Sequence, residues 1–323
     1  MLTRRETLAG AIALGATRAA LAEVVARPAQ MVVGFAAGGG TDVSARIFTE
    51  KLRADYAPSI IVENKVGAAG RLAVEQVKNA PKDGGTMLFT SDFPITLYPH
   101  IFKSLNYDSV KDLIAVAPVT KSSLVFSVGP QVPKEVTTMK GFLDWCRANP
   151  AKAIFATTGS GGTPHFAGVM VGKESGVPLL PVHYRGGAPA LQDLLGGHVA
   201  ASVNPSSEAI PLAQGGQIRM LAVANAQRSR FLPDVPTLRE QGLDIAFDTW
   251  TGVFLPAGTP RDIVAALSAA LEKAVKSPDL IEAQARLGNE MYFQSPVDFA
   301  ATVKSSIDRW GQIVAVSGFV PEE

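Results

Sequence analysis

Short apolar, β-branched runs alternate with helix-period segments through most of the chain, and no other feature restricts the fold as strongly. Residues 30–35, 59–63 and 86–90 read as strands, with helices over 41–56 and 70–79 between them. In the first of these helices Ala45, Phe48 and Leu52 line one face, as a 3.6-residue period requires. The pattern continues with strands near 113–119, 124–128, 154–156, 199–203, 220–224 and 249–255, and with helices over 138–147 and 187–195. Beyond residue 260 the chain turns mostly helical, over 260–276 and 296–316. The second of these helices opens on Ser295 as N-cap with Pro296 at the first position. Such alternation predicts an α/β protein of mainly parallel sheets covered by helices on both faces.

The 323 residues are enough for about two domains. Residues 1–22 read as an export signal: Arg4 and Arg5 precede a short apolar stretch over 8–16, and Ala20-Leu21-Ala22 then offers cleavage after Ala22. The stretch falls well short of the roughly 18 residues that span a bilayer, and Arg18 interrupts it. Thr3-Arg4-Arg5-Glu6-Thr7-Leu8 approaches a twin-arginine motif, so Tat and Sec export both fit. Loss of the segment takes the net charge from +1 to −1. A near-neutral chain argues against a dedicated nucleic-acid binder. The single cysteine, Cys146, excludes an intramolecular disulfide, a cysteine-based zinc site and a C-x-x-C pair. Next to Trp145 in a helical pattern, it is assigned to packing.

Two glycine-rich turns, one in each half of the chain, lead from a strand into a helix. The first is Phe35-Ala36-Ala37-Gly38-Gly39-Gly40-Thr41-Asp42; the second runs from Thr157 through Gly159-Ser160-Gly161-Gly162 to Thr163, read as an N-cap, then Pro164 and His165. Unpaired N–H groups and the positive end of the helix dipole make such turns anion sites, and glycine lets a ligand approach the backbone. Thr41, Thr158, Ser160 and Thr163 add hydroxyls, and neither turn contains lysine or arginine. Neutral donors of this kind suit a small carboxylate better than a polyphosphate. Either turn alone would be an ordinary tight connection; two in separate halves argue for function. Asp42 is expected to cap its helix or order the loop, because a carboxylate repels a carboxylate ligand.

Other chemistries find less support. Gly38 and Gly40 match the start of a dinucleotide fingerprint, but Val43 stands where close helix–strand packing wants glycine or alanine. The chain has no G-K-[ST] and no G-x-S-x-G, and His100, His165, His183 and His198 lack H-E-x-x-H spacing.

These segments resemble a known family. F-A-A-G-G-G-T-D-V-S-A-R (35–46), V-E-N-K-V-G-A-A-G (62–70), Y-D-S-V-K-D-L (107–113), T-G-S-G-G-T-P-H-F-A-G (158–168), V-H-Y-R-G-G-A-P-A-L-Q-D-L-L-G-G-H-V (182–199), R-S-R-F-L-P-D-V-P-T (228–237) and P-A-G-T-P (256–260) occur in the order seen in substrate-binding proteins of tripartite tricarboxylate transporters, the Bug or TctC family. The resemblance implies a type II periplasmic binding protein-like fold, two lobes joined by hinge crossovers. One lobe would comprise residues 23–121 and 248–323, the other 122–247. It implies a monomeric periplasmic receptor that closes on a small mono- or dicarboxylate, aromatic ones included, and delivers it to membrane permease subunits, without catalysis, cofactor or metal. Carried over, the ligand would meet Phe35, Ala37, Gly38, Gly39, Gly40, Thr41 and Asp42 from one loop and Thr158, Ser160, Gly161, Thr163 and His165 from the other. Asp92, Asn204 and Ser206 would line the remainder. Gly34, Val66 and Arg185 depart from the family pattern away from these loops, whereas Asp92-Phe93-Pro94 departs at the cleft and leaves the ligand's far end open. Two alternatives remain: an exported hydrolase or lyase using Asp42 and His165, and a ligand sensor for a membrane histidine kinase.

Overall fold

The computed structural model describes residues 24–53, 55–247 and 249–319; the export-signal reading and the crossover at 248 lie outside them. Among the described residues, eleven strands form two sheets. The first, in the order β11-β4-β10-β3-β1-β2, contains β1 (Ala29–Val33), β2 (Ile60–Asn64), β3 (Thr86–Ser91), β4 (Leu113–Ser122), β10 (Thr249–Pro256) and β11 (Asn289–Met291). The second, in the order β7-β6-β8-β5-β9, contains β5 (Leu124–Val128), β6 (Ile154–Thr157), β7 (Leu180–His183), β8 (Ala201–Pro205) and β9 (Arg219–Val223).

Helices cover both faces of each sheet. They are α1 (Gly40–Leu52), α2 (Arg71–Lys78), the one-turn α3 (Phe93–Thr96) and α4 (Tyr98–Ile101), α5 (Met139–Ala148), α6 (Thr163–Ser175), α7 (Gly187–Leu195), α8 (Ser206–Gln214), α9 (Arg261–Val275), α10 (Pro278–Arg286) and α11 (Pro296–Ser317). The β1 and β3 sequences are apolar without alternation because both of their faces are buried. Met31 and Phe89 face a core with Phe48 and Leu271, whereas Val32 and Leu88 face a second core with Val74 and Phe299. The expected cap on α11 forms: the Ser295 hydroxyl accepts from the Asp298 amide at 3.2 Å.

The two-lobed α/β architecture is as expected, but the sheets are mixed, not mainly parallel. β1 pairs in parallel with β2 and β3, while β10 runs antiparallel to β3 and β4, and β11 to β4. In the second sheet β6 is parallel to β7 and β8, and β5 antiparallel to β8 and β9. The antiparallel strands are those at the crossovers. β4 leaves one sheet and, after Ser123, becomes β5 of the other; β10 returns beside β4 in the opposite sense, with Thr249 opposite Ser122. The Thr249 hydroxyl donates to the Ser122 carbonyl at 2.7 Å, so the two crossings are tied to each other.

Contacts between lobes are substantial. Leu97, Tyr98 and Ile101 of the α3–α4 region and Trp310 and Val314 of α11 share a core with Phe126, Phe155 and Phe166 of the second lobe. Trp310, 1% exposed, stacks on Phe247 at 5.4 Å and meets Phe166 edge-on at 5.7 Å. Cys146 is buried in this core and burial pushes its thiol up to about 12, the packing role expected for it.

Candidate functional site

The first glycine loop is built around a buried carboxylate. Gly38, with φ +82°, turns its amide onto Asp42 Oδ2 at 2.8 Å. Arg46, one helical turn later, donates from Nε to Oδ2 at 3.0 Å and from Nη2 to Oδ1 at 2.9 Å. Asn64 at the end of β2 donates to Oδ1 at 2.9 Å and to the Phe35 carbonyl at 3.0 Å. Asp42 is thus 2% exposed and orders the loop; the N-cap of α1 is Gly39, and no side chain caps it. Ala37 and Gly38 are exposed and Gly39, Gly40 and Thr41 half-buried. The first-turn amides of Gly40, Thr41 and Asp42 have no intrahelical acceptor.

Burial pushes the Asp42 carboxyl up, but hydrogen bonds from Arg46, Gly38 and Asn64, with the Arg46 charge, outweigh it and hold the group below its usual range. A depressed folded-state pKa adds stability above the unfolded value of about 3.9, lost as pH falls through the folded value. Asp42→Ala is therefore expected to cost about 1–3 kcal/mol at pH 7. Urea unfolding of both proteins should show that difference closing as the pH drops below about 4.

In the second loop the N-cap is Gly162, and Thr163 is the first helical residue, so the helix starts one residue earlier than expected; the Thr163 hydroxyl makes no cap. Gly161, with φ +67°, donates its amide to His165 Nδ1 at 3.1 Å. His165 is 6% exposed and packed edge-on against His183 at 4.5 Å and Phe319 at 5.9 Å. Burial, with the neighbouring His183, pushes its pKa down to about 4, so at neutral pH the ring is uncharged and Nδ1 accepts. Thr158 and Ser160 are half-buried at the loop surface.

Contacts link the two loops around the interlobe cleft. Phe35 packs on Phe93 at 5.6 Å, and Phe93 follows Asp92 at the end of β3. Asp92 is 2% exposed and lies beside Thr163 of the other lobe, 1% exposed. A Cβ placed on Gly161 would stand 2.3 Å from Ile101 Cδ1, and one on Gly40 would stand 3.3 Å from the Ser207 hydroxyl, so both loops abut the opposite lobe. Asn204 and Ser206 lie deeper. Asn204 donates to Glu208 at 2.9 Å and accepts from Ser202. Ser206 donates its hydroxyl to the Gly288 carbonyl at 3.3 Å and its amide to Ser123 at 2.7 Å, a cross-lobe tie at the hinge. Trp250 packs in the core against Phe299 at 5.0 Å.

Sequence reading missed Arg46 and Asn64 as the clamp on Asp42, and Ile101 and Ser207 at the cleft. The i, i+4 spacing of Asp42 and Arg46 was a usable sign of the clamp. Nothing local marks Asn64, Ile101 or Ser207, which arrive from distant segments.

Residues 44–319 match the family described as tripartite tricarboxylate transporter family receptor. A relative from Pseudomonas sp. strain P51, the UPF0065 protein in the tcbD-tcbE intergenic region, is 33% identical over 322 residues, covering 96% of this chain and 94% of its own. Rpa4515 of R. palustris with adipate superposes with a TM-score of 0.86 at 28% identity, covering 92% of this chain and 99% of that one. The periplasmic binding protein BugD gives 0.83 at 29%, covering 91% and 98%. MatC from Rhodopseudomonas palustris with bound malate gives 0.81 at 30%, covering 89% and 99%. The chain belongs to the TctC receptor family of tripartite tricarboxylate transporters, a family of periplasmic binding proteins.

Proposed function

We propose that this protein captures a small organic carboxylate between the loops 35–42 and 158–165 and passes it to the membrane subunits of a tripartite tricarboxylate transporter. The observation that carries the reading is the pair of lysine- and arginine-free helix N-termini, α1 and α6, presented by opposite lobes to one cleft. Such ends offer partial positive charge and unpaired amides, enough for one carboxylate. The adipate and malate seen in similar proteins are of this class. Residues 23–121 with 248–323 form one lobe and 122–247 the other, and the tied crossovers at Ser122 and Thr249 form the hinge. Asp42 and His165 position the loops; Asn204 and Ser206 hold the hinge side of the cleft. Export through residues 1–22, by Tat or Sec with cleavage after Ala22, would deliver the receptor to the periplasm.

Catalysis by Asp42 and His165 is disfavoured because each is committed elsewhere, Asp42 to Arg46, Gly38 and Asn64, and His165 to Gly161. A thermal-shift panel of citrate, succinate, adipate, benzoate, phthalates, nicotinate and acidic amino acids tests the reading. An acid at 100 times its dissociation constant adds about 2.7 kcal/mol, and each kcal/mol moves the midpoint by about 2–4 °C in domains somewhat smaller than this chain. A rise of several degrees with the acid recovered unchanged is expected. Stabilisation by sugars or neutral amines alone would refute the reading, and consumption of the acid would favour the enzyme. A genomic neighbour encoding a histidine kinase in place of permease subunits would favour the sensor.

A further inference from the structure

Two buried polar atoms at the cleft lack a hydrogen-bond partner of normal geometry among the described residues: Asp92 Oδ1 and Thr163 Oγ1. They come from opposite lobes, the first from the residue after β3 and the second from the first turn of α6. Asp92 and Thr163 are 2% and 1% exposed, so solvent does not satisfy them. Elsewhere in the molecule a carboxylate this buried is clamped, as Asp42 is by Arg46, Asn64 and Gly38. Asp92 has no arginine or asparagine clamp of that kind; the Phe93 amide and the Thr163 hydroxyl lie beside its carboxyl. Its amide goes to the Trp250 carbonyl and its own carbonyl to Ile95, Thr96 and the Thr96 hydroxyl, while one carboxyl oxygen is left over. Arg309 of α11 acts on it, too weakly to offset burial.

Resting on the carboxylate-receptor reading above, we propose that Asp92 selects the far end of the ligand, and that the ligand is a monocarboxylic acid carrying a hydrogen-bond donor, an amino or hydroxyl group, at that end. The glycine loops take the ligand's carboxylate, and the half-buried rings of Phe35 and Phe93, between the first loop and Asp92, cover the connecting carbons. The donor then meets Asp92 and the Thr163 hydroxyl, which accepts as well as donates. A second carboxylate there would face Asp92, and two carboxylates sharing a site cannot both stay ionised without cost. Burial pushes the Asp92 carboxyl up to about 7, against the weaker pull of Arg309 and of hydrogen bonds. A ligand ammonium or hydroxyl relieves it.

Calorimetric titration with matched series of ω-amino acids, ω-hydroxy acids and α,ω-diacids of four to eight carbons tests this. The wild type is expected to bind the best amino or hydroxy acid at least about tenfold more tightly than the diacid of the same length. Asp92→Asn, which keeps the volume and removes the charge, should cut that preference to threefold or less without lowering the thermal midpoint of the free protein. Thr163→Val, a second variant that leaves the carboxyl in place, should weaken the donor ligands more than the diacids of the same length and so lower the preference. A diacid bound by the wild type as tightly as its amino and hydroxy counterparts, or a preference unchanged in Asp92→Asn, would overturn the inference and leave the carboxylate-receptor reading standing. Failure of every acid to bind would overturn both.

Discussion

Gly161→Val is expected to give a folded protein whose affinity for its acid is lower by at least about a hundredfold, on the order of 2.7 kcal/mol. Two independent features of the position add up to that loss. Its φ of +67° is a left-handed conformation that a β-branched residue avoids, at a cost of about 1–3 kcal/mol. A Cβ there would also stand 2.3 Å from Ile101 Cδ1 on the opposite lobe, closer than real Cβ atoms approach. Relief requires Ile101 to swing away or the loop to retreat, and a retreating loop withdraws the Gly161 amide from His165 and spoils the mouth of α6. Circular dichroism should show the fold intact while calorimetry shows binding lost. Gly159→Ala is the control, because Gly159 has no positive φ and nothing lies within 4 Å of its missing Cβ. Affinity within threefold of wild type in Gly161→Val would remove the second loop from the site.

Trp310→Ala is expected to be among the most destabilising single changes in the molecule. The side chain is 1% exposed, stacks on Phe247 and meets Phe166 edge-on, so it fastens the C-terminal helix of one lobe into the core of the other. Truncation of a buried tryptophan removes its transfer energy and leaves a cavity, together about 3–5 kcal/mol. Thermal unfolding should show a midpoint lower by at least about 6 °C. Because the helix α11 bridges the lobes, the same variant should also lose cooperativity, the lobes unfolding in two steps. A drop below about 1 kcal/mol would mean that the indole is not part of the interlobe core.

The glycine loops and the strands that precede them were legible because each is encoded locally. An apolar run, glycines at positions that include the positive-φ Gly38 and Gly161, and a polar helix start lie within a dozen residues. Elements lacking such marks escaped. β7 is an edge strand whose residues are mostly exposed, so no burial pattern is written into it. α8 carries Pro211 in its interior, and β11 has only three residues. The antiparallel members of each sheet were unreadable for a different reason. Strand direction there follows from where the crossovers enter, and β4 and β10 meet only after more than a hundred intervening residues have made the second lobe.

At the site, local encoding again marks the limit. Asp42 and its tie to the loop follow from one segment, but its partner Asn64 comes from β2. The juxtaposition of Asp92 with Thr163 needs both lobes. Segment 92–94 stood out from the family pattern in the sequence; what it faces emerged only with the fold.

The central claim is that one carboxylate is held by both glycine loops at once. Titration of the 15N-labelled protein with the strongest acid from the panel, followed through its backbone amides, tests it most directly. The account predicts that Gly40 and Thr41 at the start of α1 and Gly159 to Thr163 ahead of α6 shift together, along one binding curve. An acid that binds with full affinity while the amides of either loop stay in place would contradict it.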